Sequence, residues 1–407
     1  MAKPAEWTFL VYMAGDNNLS GAGDTDLAEM RQVGSSGHLN VVVQFDNAGD
    51  NGTRRIHVGH HGGHEKVVQL AETDSGSPEV LVDFVRWAHK AYPAKRYALV
   101  LWNHGGGWEP AEIERIARAS RSPGFSVREA PLRAASKLRR AFFRHTLERI
   151  LATSADERAI LSDDGSGHSL DTVELGKALE EIVGLLGQPI DLLGMDACLM
   201  ANLEVAFQAA PCAKVLVASE ETEPADGWPY GTVLDLLAED PLLPPAELGG
   251  RIVEHYLRSY AGNAEAGDVT QAAFDLSKID QLVTPFDALA QALLVEMPGA
   301  ANTLWSAHRH SASFWDGTLR DLGQLAGGLE AKGSAAVAGA ARDLLAALEP
   351  GPGRAILAAG GQGKKVDSCR GVSIYLPSEA AISPYYGDLE LAKRTQWPRL
   401  LEAYARA

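Results

Sequence analysis

With 407 residues, 46% of them hydrophobic and 22% charged, the chain has the composition of a soluble globular protein long enough to bury a large core. A formal net charge of −16 excludes a general nucleic-acid binder, whose phosphate contacts need a basic face, and draws cationic partners instead. Three cysteines, Cys198, Cys212 and Cys369, are too few for a disulfide framework, and no apolar run approaches the roughly 18 residues of a membrane span.

The first core strand is expected at Trp7–Met13. The apolar stretch there is too short for a secretory h-region and runs into Gly15-Asp16-Asn17-Asn18, so no signal peptide is read; the chain is cytoplasmic or has lost a leader. Further short runs rich in branched and aromatic residues follow at Asn40–Phe45, Tyr97–Trp102, Ile190–Met195 and Lys214–Ser219. Between them, Glu79–Tyr92 places Val80, Leu81, Phe84, Val85 and Ala88 on one helical stripe. Thr172–Leu186 does the same with Leu175, Ala178, Leu179, Ile182 and Val183, and Asp171 with Glu174 offers a capping box at its start. Such alternation predicts an α/β fold with a mostly parallel sheet flanked by helices.

The segment from Glu112 to Arg149 breaks this pattern. It holds ten Lys or Arg against four Asp or Glu, contains the breakers Ser122, Pro123, Gly124 and Pro131, and ends in a basic helical pattern. We read residues 109–155 as an insert in a first domain spanning 1–240. Three prolines between Pro241 and Pro245 mark a boundary, and residues 241–407 form a mainly helical C-terminal region of unassigned role, closing with an apolar strand at Gly371–Leu376.

In an open α/β sheet, ligands bind beyond the carboxyl ends of the strands. Two such ends carry reactive groups. After Tyr97–Trp102 comes Asn103-His104-Gly105-Gly106-Gly107-Trp108, where three glycines let backbone N–H groups approach a substrate. After Ile190–Met195 comes Asp196-Ala197-Cys198, followed by Leu199–Phe207, which reads as a helix whose positive end would favour thiolate at Cys198. A lone buried cysteine or histidine is most often inert packing. Two strand ends, one with Gly-rich backbone and one with a thiol, bring the nucleophile reading to even weight with that bland one.

Trp7 to Leu19, Leu101-Trp102-Asn103-His104-Gly105-Gly106-Gly107-Trp108, Met195-Asp196-Ala197-Cys198-Leu199-Met200 and Ser219 to Gly231 together resemble the clostripain family of cysteine peptidases, in the clan of caspases, legumains and gingipains. Gly371 to Pro377 is the most familiar piece of the weaker C-terminal match. The resemblance implies a caspase-like sheet and a cysteine endopeptidase with His104 as acid–base partner and Cys198 as nucleophile. It also implies an oxyanion hole from the N–H groups of Cys198 and Gly105, and Asp196 as the carboxylate that selects Arg or Lys before the scissile bond. Asp226 matches a second wall of that pocket, although turn chemistry before Gly227 explains it equally well. The basic insert then becomes a linker that the enzyme cuts in itself, with Arg115, Arg118 and Arg121 as candidate cleavage points.

No cofactor is required on this reading. Clostripain-like enzymes are associated with Ca2+, and Asp163-Asp164-Gly165-Ser166-Gly167 has the flavour of a calcium loop without its full spacing. His57, His60, His61 and His64 are dense enough to suggest zinc or nickel, yet Gly59, Gly62 and Gly63 among them read as a hairpin, so no metal site is assigned. Cys212 and Cys369 are expected to be structural. Two other functions stay open: an idle relative that binds basic peptides through the same acidic pocket, and an unrelated metal-dependent hydrolase. The expected partners are peptide or protein substrates, with neither nucleic acid nor membrane.

Overall fold

The computed structural model describes residues 4–15, 20–47, 52–103, 170–263, 266–314, 317–377, 382–383 and 385–407. The chain forms two compact units, one drawn from residues 1–198 and 225–244, the other from 199–224 and 245–407. It passes between them after Cys198, after Pro224 and after Pro244, the last within the proline-rich stretch.

The first unit begins with β1 (Ala5–Gly15), α1 (Ser20–Val33) and β2 (Leu39–Asn47). The hairpin β3 (Thr53–His57) and β4 (Lys66–Gln69) follows, then α2 (Pro78–Ala91), β5 (Ala94–Trp102), α3 (Thr172–Leu186) and β6 (Ile190–Asp196). Its strands lie in the order β6-β5-β1-β2-β3-β4. The first four are mutually parallel and the hairpin extends them antiparallel. Every residue of β1 and of β6 is buried. A parallel strand covered on both faces has no polar side to show, which is why these runs are mainly apolar without alternation, their few polar residues, Glu6, Thr8, Asp191 and Asp196, being buried too.

The helices follow their predicted stripes with small shifts. In α2 the buried face is Leu81, Val82, Phe84, Val85 and Ala88, so Val82 replaces the expected Val80. In α3 it is Leu175, Gly176, Ala178, Leu179 and Ile182 with Thr172, and the expected Val183 is half-buried. The capping box forms: the Glu174 N–H donates to Asp171 Oδ1 at 2.7 Å and the Asp171 N–H to Glu174 Oε2 at 3.2 Å. Burial, then the neighbouring Asp171, pushes the Glu174 carboxyl up to about 7.

The second unit takes α4 (Leu203–Ala209) and β7 (Ala213–Ala218), after which the chain returns to the first unit for α5 (Tyr230–Glu239), packed on α1. It then runs through α6 (Pro245–Ser259), β8 (Val269–Asp275), α7 (Asp280–Glu296), α8 (Ala301–His310), β9 (Ser313–Phe314), β10 (Leu319–Asp321), α9 (Leu322–Lys332) and α10 (Ala335–Ala347). It ends with β11 (Ile356–Gln362), β12 (Ser373–Tyr375), α11 (Glu390–Arg394) and α12 (Trp397–Ala405). Strands β7, β8 and β11 pair antiparallel, and β9, β10 and β12 make a second small sheet. The closing strand is the core of the predicted Gly371–Leu376 run, and the unit is otherwise mainly helical.

Candidate active site

Cys198 sits two residues beyond the end of β6, and the side chain is almost closed off, at 4% exposure. The chain does not enter a helix there. Residues 197–199 form a bend and turn, Leu199 adopts a left-handed backbone at φ +66°, and α4 starts only at Leu203. Asn202 caps that helix by accepting from the Val205 N–H at 2.8 Å. The expectation that a helix beginning at Leu199 activates the thiol through its dipole is therefore wrong, because such fields fade within one turn of the helix end. Asn202 is the stop signal that periodicity alone overlooked: a strong cap placed after an apolar run that looks helical throughout.

Asp196, the last residue of β6, is likewise buried at 4% exposure. Its Oδ2 accepts from the Tyr230 hydroxyl at 2.7 Å and from the Trp228 N–H at 3.3 Å. Gly227, at φ +55°, makes the close approach possible, since a Cβ at that position would stand 3.0 Å from both carboxylate oxygens. The Trp228 ring fills the space beside Gly194, where a Cβ would meet it at 2.8 Å, and so fixes the loop that carries those donors over β6. Asp226 lies in the turn just before Gly227 with its side chain exposed.

A further carboxylate joins this group from α1. Asp26 is 1% exposed, and its Oδ2 accepts from the Trp102 indole N–H at 2.6 Å. Trp102 is the register partner of Asp196 across the β5–β6 pair. Burial, and then the charge of Asp196, pushes the Asp26 carboxyl up to about 9, with Glu29 and Asp226 adding to the rise and the Trp102 hydrogen bond opposing it. Asp26 is thus a neutral acid near pH 7. Sequence reasoning missed it, because an aspartate in Gly23-Asp24-Thr25-Asp26-Leu27 on an amphipathic helix reads as solvent-facing.

Among the residues expected at the site, Cys198, Asp196 and Asp226 fall in this one unit around the carboxyl ends of β5 and β6. His104, Gly105, Arg115, Arg118 and Arg121, with the whole 109–155 insert and the Asp163–Gly167 loop, lie outside the described residues. The described chain stops one residue short of His104, at Asn103, whose N–H donates to the Asp196 carbonyl at 3.3 Å. His57 ends strand β3 and His60, His61 and His64 lie in the turn of the β3–β4 hairpin, as their glycines suggest, and among the described residues they make no group of three metal-ligating side chains. The His57 ring stacks on Tyr92 at 4.3 Å, and His60 Nδ1 lies 2.8 Å from the Val33 carbonyl.

A parallel sheet with a thiol and a hydrogen-bonded buried carboxylate at the carboxyl end of one strand defines a class of α/β proteins with a strand-end site. The clostripain family model matches residues 11–121 and 148–404, more than half of the chain, and the protein belongs to that family. Clostripain from Hathewaya histolytica is 26% identical over 334 residues, which is 70% of this chain; the chain spans 55% of the length of that relative. Two solved structures share the fold. A secreted C11 cysteine protease from Bacteroides thetaiotaomicron, in complex with an irreversible peptide inhibitor, superposes with a TM-score of 0.62 at 21% identity, covering 97% of this chain and 99% of that one. An inactive zymogen C11 protease from Parabacteroides distasonis does so with a TM-score of 0.65 at 20% identity, over 97% and 99% of the two chains. The caspase-like, mostly parallel sheet implied by the sequence resemblance is the fold of this protein.

Proposed function

We propose that this protein is a cysteine endopeptidase that cleaves after Arg or Lys and matures by cutting its own basic insert. The observation that carries the reading is Asp196, a buried, hydrogen-bonded carboxylate two residues before the thiol whose charge helps to raise the neighbouring buried Asp26. Two buried carboxyl groups so placed are costly unless a cation or a proton joins them, and a guanidinium or ammonium side chain is the cation a peptide can supply. The Cys198 sulfur attacks the scissile carbonyl carbon, and the N–H groups of Cys198 and Gly105 receive the oxyanion. His104 protonates the departing amine, the C–N bond breaks, and water hydrolyses the remaining thioester to release the acid and the thiol.

Cys198 is 4% exposed, so a peptide reaches it only once the structure around it moves, and the proposed maturation cut would have to supply that movement. Arg115, Arg118 and Arg121 are the proposed cleavage points. No metal enters the chemistry on this proposal. A fluorogenic peptide with Arg before the bond tests the whole reading. Hydrolysis that persists in chelator and ends on thiol alkylation or in Cys198→Ala supports it. Binding of the peptide without hydrolysis by the intact protein points instead to an idle family member, and loss of activity in chelator alone to a metal-dependent hydrolase. Mass spectrometry reads the maturation: two chains in the wild type and one in Cys198→Ala are expected, and an intact wild-type chain removes self-cleavage from the proposal.

A further inference from the structure

Three groups that the proposed peptidase chemistry does not use converge in the second unit. Glu220 follows β7, Asp321 closes β10 and caps α9, and Cys369 lies on the connection between β11 and β12. One ligand atom from each lies within 4.8 Å of the other two, and among the described residues this is the one such group of three or more His, Cys, Asp or Glu side chains. Glu220 and Asp321 are fully buried, and Cys369 is half-buried.

Hydrogen bonding leaves this cluster incomplete. Asp321 is held by the N–H groups of Gln324 at 2.6 Å and Arg370 at 2.8 Å, one on each oxygen. Neither carboxylate oxygen of Glu220 accepts a hydrogen bond of regular geometry, although the Gly371 N–H and the Asp321 carboxyl both act on it. The nearby cations are committed elsewhere: Lys365 to Glu221, and the Arg370 guanidinium to Glu349 at 2.8 Å. The Cys369 sulfur has only long contacts, 3.7 Å from Gln324 Nε2 and 4.0 Å from the Lys365 carbonyl oxygen. Two ionised carboxylates cannot donate to each other, so either a proton shared between Glu220 and Asp321 or a metal cation stands between them. Burial and the Asp321 charge push Glu220 well above the usual carboxylate range, and burial with Glu220 and Asp321 drives the Cys369 thiol up. A shared proton would relieve one repulsion, whereas a divalent cation would satisfy all three ligand atoms at once.

We propose that Glu220, Asp321 and Cys369 bind a borderline-soft divalent cation of the zinc class, with the half-buried Cys369 side left for a water ligand. Two oxygens and one thiolate suit such an ion and do not suit calcium or magnesium, which take oxygen alone. Binding replaces the protons of the Glu220 carboxyl and the Cys369 thiol, so protons are released and affinity climbs with pH.

The site shares no residue with the proposed peptidase machinery, and it is tested on full-length Cys198→Ala protein so that the candidate nucleophile cannot hold the probe. Co2+ is titrated first and Zn2+ second. The expected result is one equivalent of Co2+ with a thiolate-to-cobalt charge-transfer band, displaced by Zn2+ and lost on adding Cys369→Ser. Zn2+ affinity should fall about tenfold or more in Cys369→Ser and in Glu220→Gln. Circular dichroism checks that the variants fold, and Cys369→Ser, altering a half-buried side chain by one atom, carries the test if Glu220→Gln does not. Absence of the thiolate band overturns the proposal, as does a band that survives Cys369→Ser or Zn2+ binding equal in all variants. Glu220→Gln that raises thermal stability with no metal bound also overturns it and assigns a shared proton.

Discussion

Asp26 is where the electrostatics near Cys198 are most uncomfortable. Its carboxyl titrates at about 9 in the folded chain against 3.8 ordinarily, so between those values the folded state holds a proton that the unfolded state has lost. Stability therefore declines as pH rises across that window, and Asp26→Asn should flatten the decline. We expect the variant to gain about 4 kcal/mol relative to wild type between pH 5 and pH 8, measured by denaturant unfolding at both values. The same proton couples to the proposed substrate. If a guanidinium displaces it, KM for an Arg peptide should fall as pH rises toward 9 in wild type and stay level in Asp26→Asn; parallel KM profiles would separate Asp26 from the pocket. Asp196→Asn should lower kcat/KM for Arg and Lys peptides about 100-fold, because it leaves the bound cation unpaired. The spacing of Asp196 and Cys198 was legible in the sequence, since residues two apart on a strand share a face. Asp26 was not, because only the tertiary fold brings an indole donor and a second carboxylate to it.

Among the elements, the stretch from β6 to α4 holds the chief misreading. Apolar periodicity runs without interruption from Leu199, but Asn202 takes the Val205 N–H and the turn before it has a left-handed leucine, so the helix starts four residues later than periodicity suggests. Asn202→Ala should cost about 1 kcal/mol in chemical denaturation. The β-strands and the α3 capping box were legible because their signals are local: branched apolar runs, and an Asp three residues before a Glu. The loop carrying Gly227 was visible only as a turn. Its second role, letting backbone close over Asp196, depends on a strand far away in the chain. Gly227→Ala should destabilise the protein by about 1–2 kcal/mol through the left-handed backbone alone, and should reduce kcat/KM further by pushing on the Asp196 oxygens at 3.0 Å.

Across the whole molecule, buried titratable groups set opposing slopes with pH. Burial lowers His308 in the second unit to about 4 from 6.5, so its contribution grows as pH rises through that interval. Burial raises Glu204 to about 7 from 4.5, although the Tyr375 N–H and the Tyr386 hydroxyl each donate to its Oε1 at 3.0 Å, and its contribution shrinks over that interval. Between about pH 4.5 and 6.5 His308 offsets Glu204 while Asp26 and Glu174 already decline; above that interval the contributions of Glu204, Glu174 and Asp26 all fall. A thermal melt should accordingly show a lower midpoint at pH 9 than at pH 6. The hairpin that ends the first sheet leaves a short exposed border. Strand β4 is four residues long and leaves Val67 and Val68 at 51% and 41% exposure beside Lys66. A border so brief, with a positive charge at its corner, gives a second chain little to zip onto, and lengthening it by one apolar pair would turn a quiet margin into a seam for fibres.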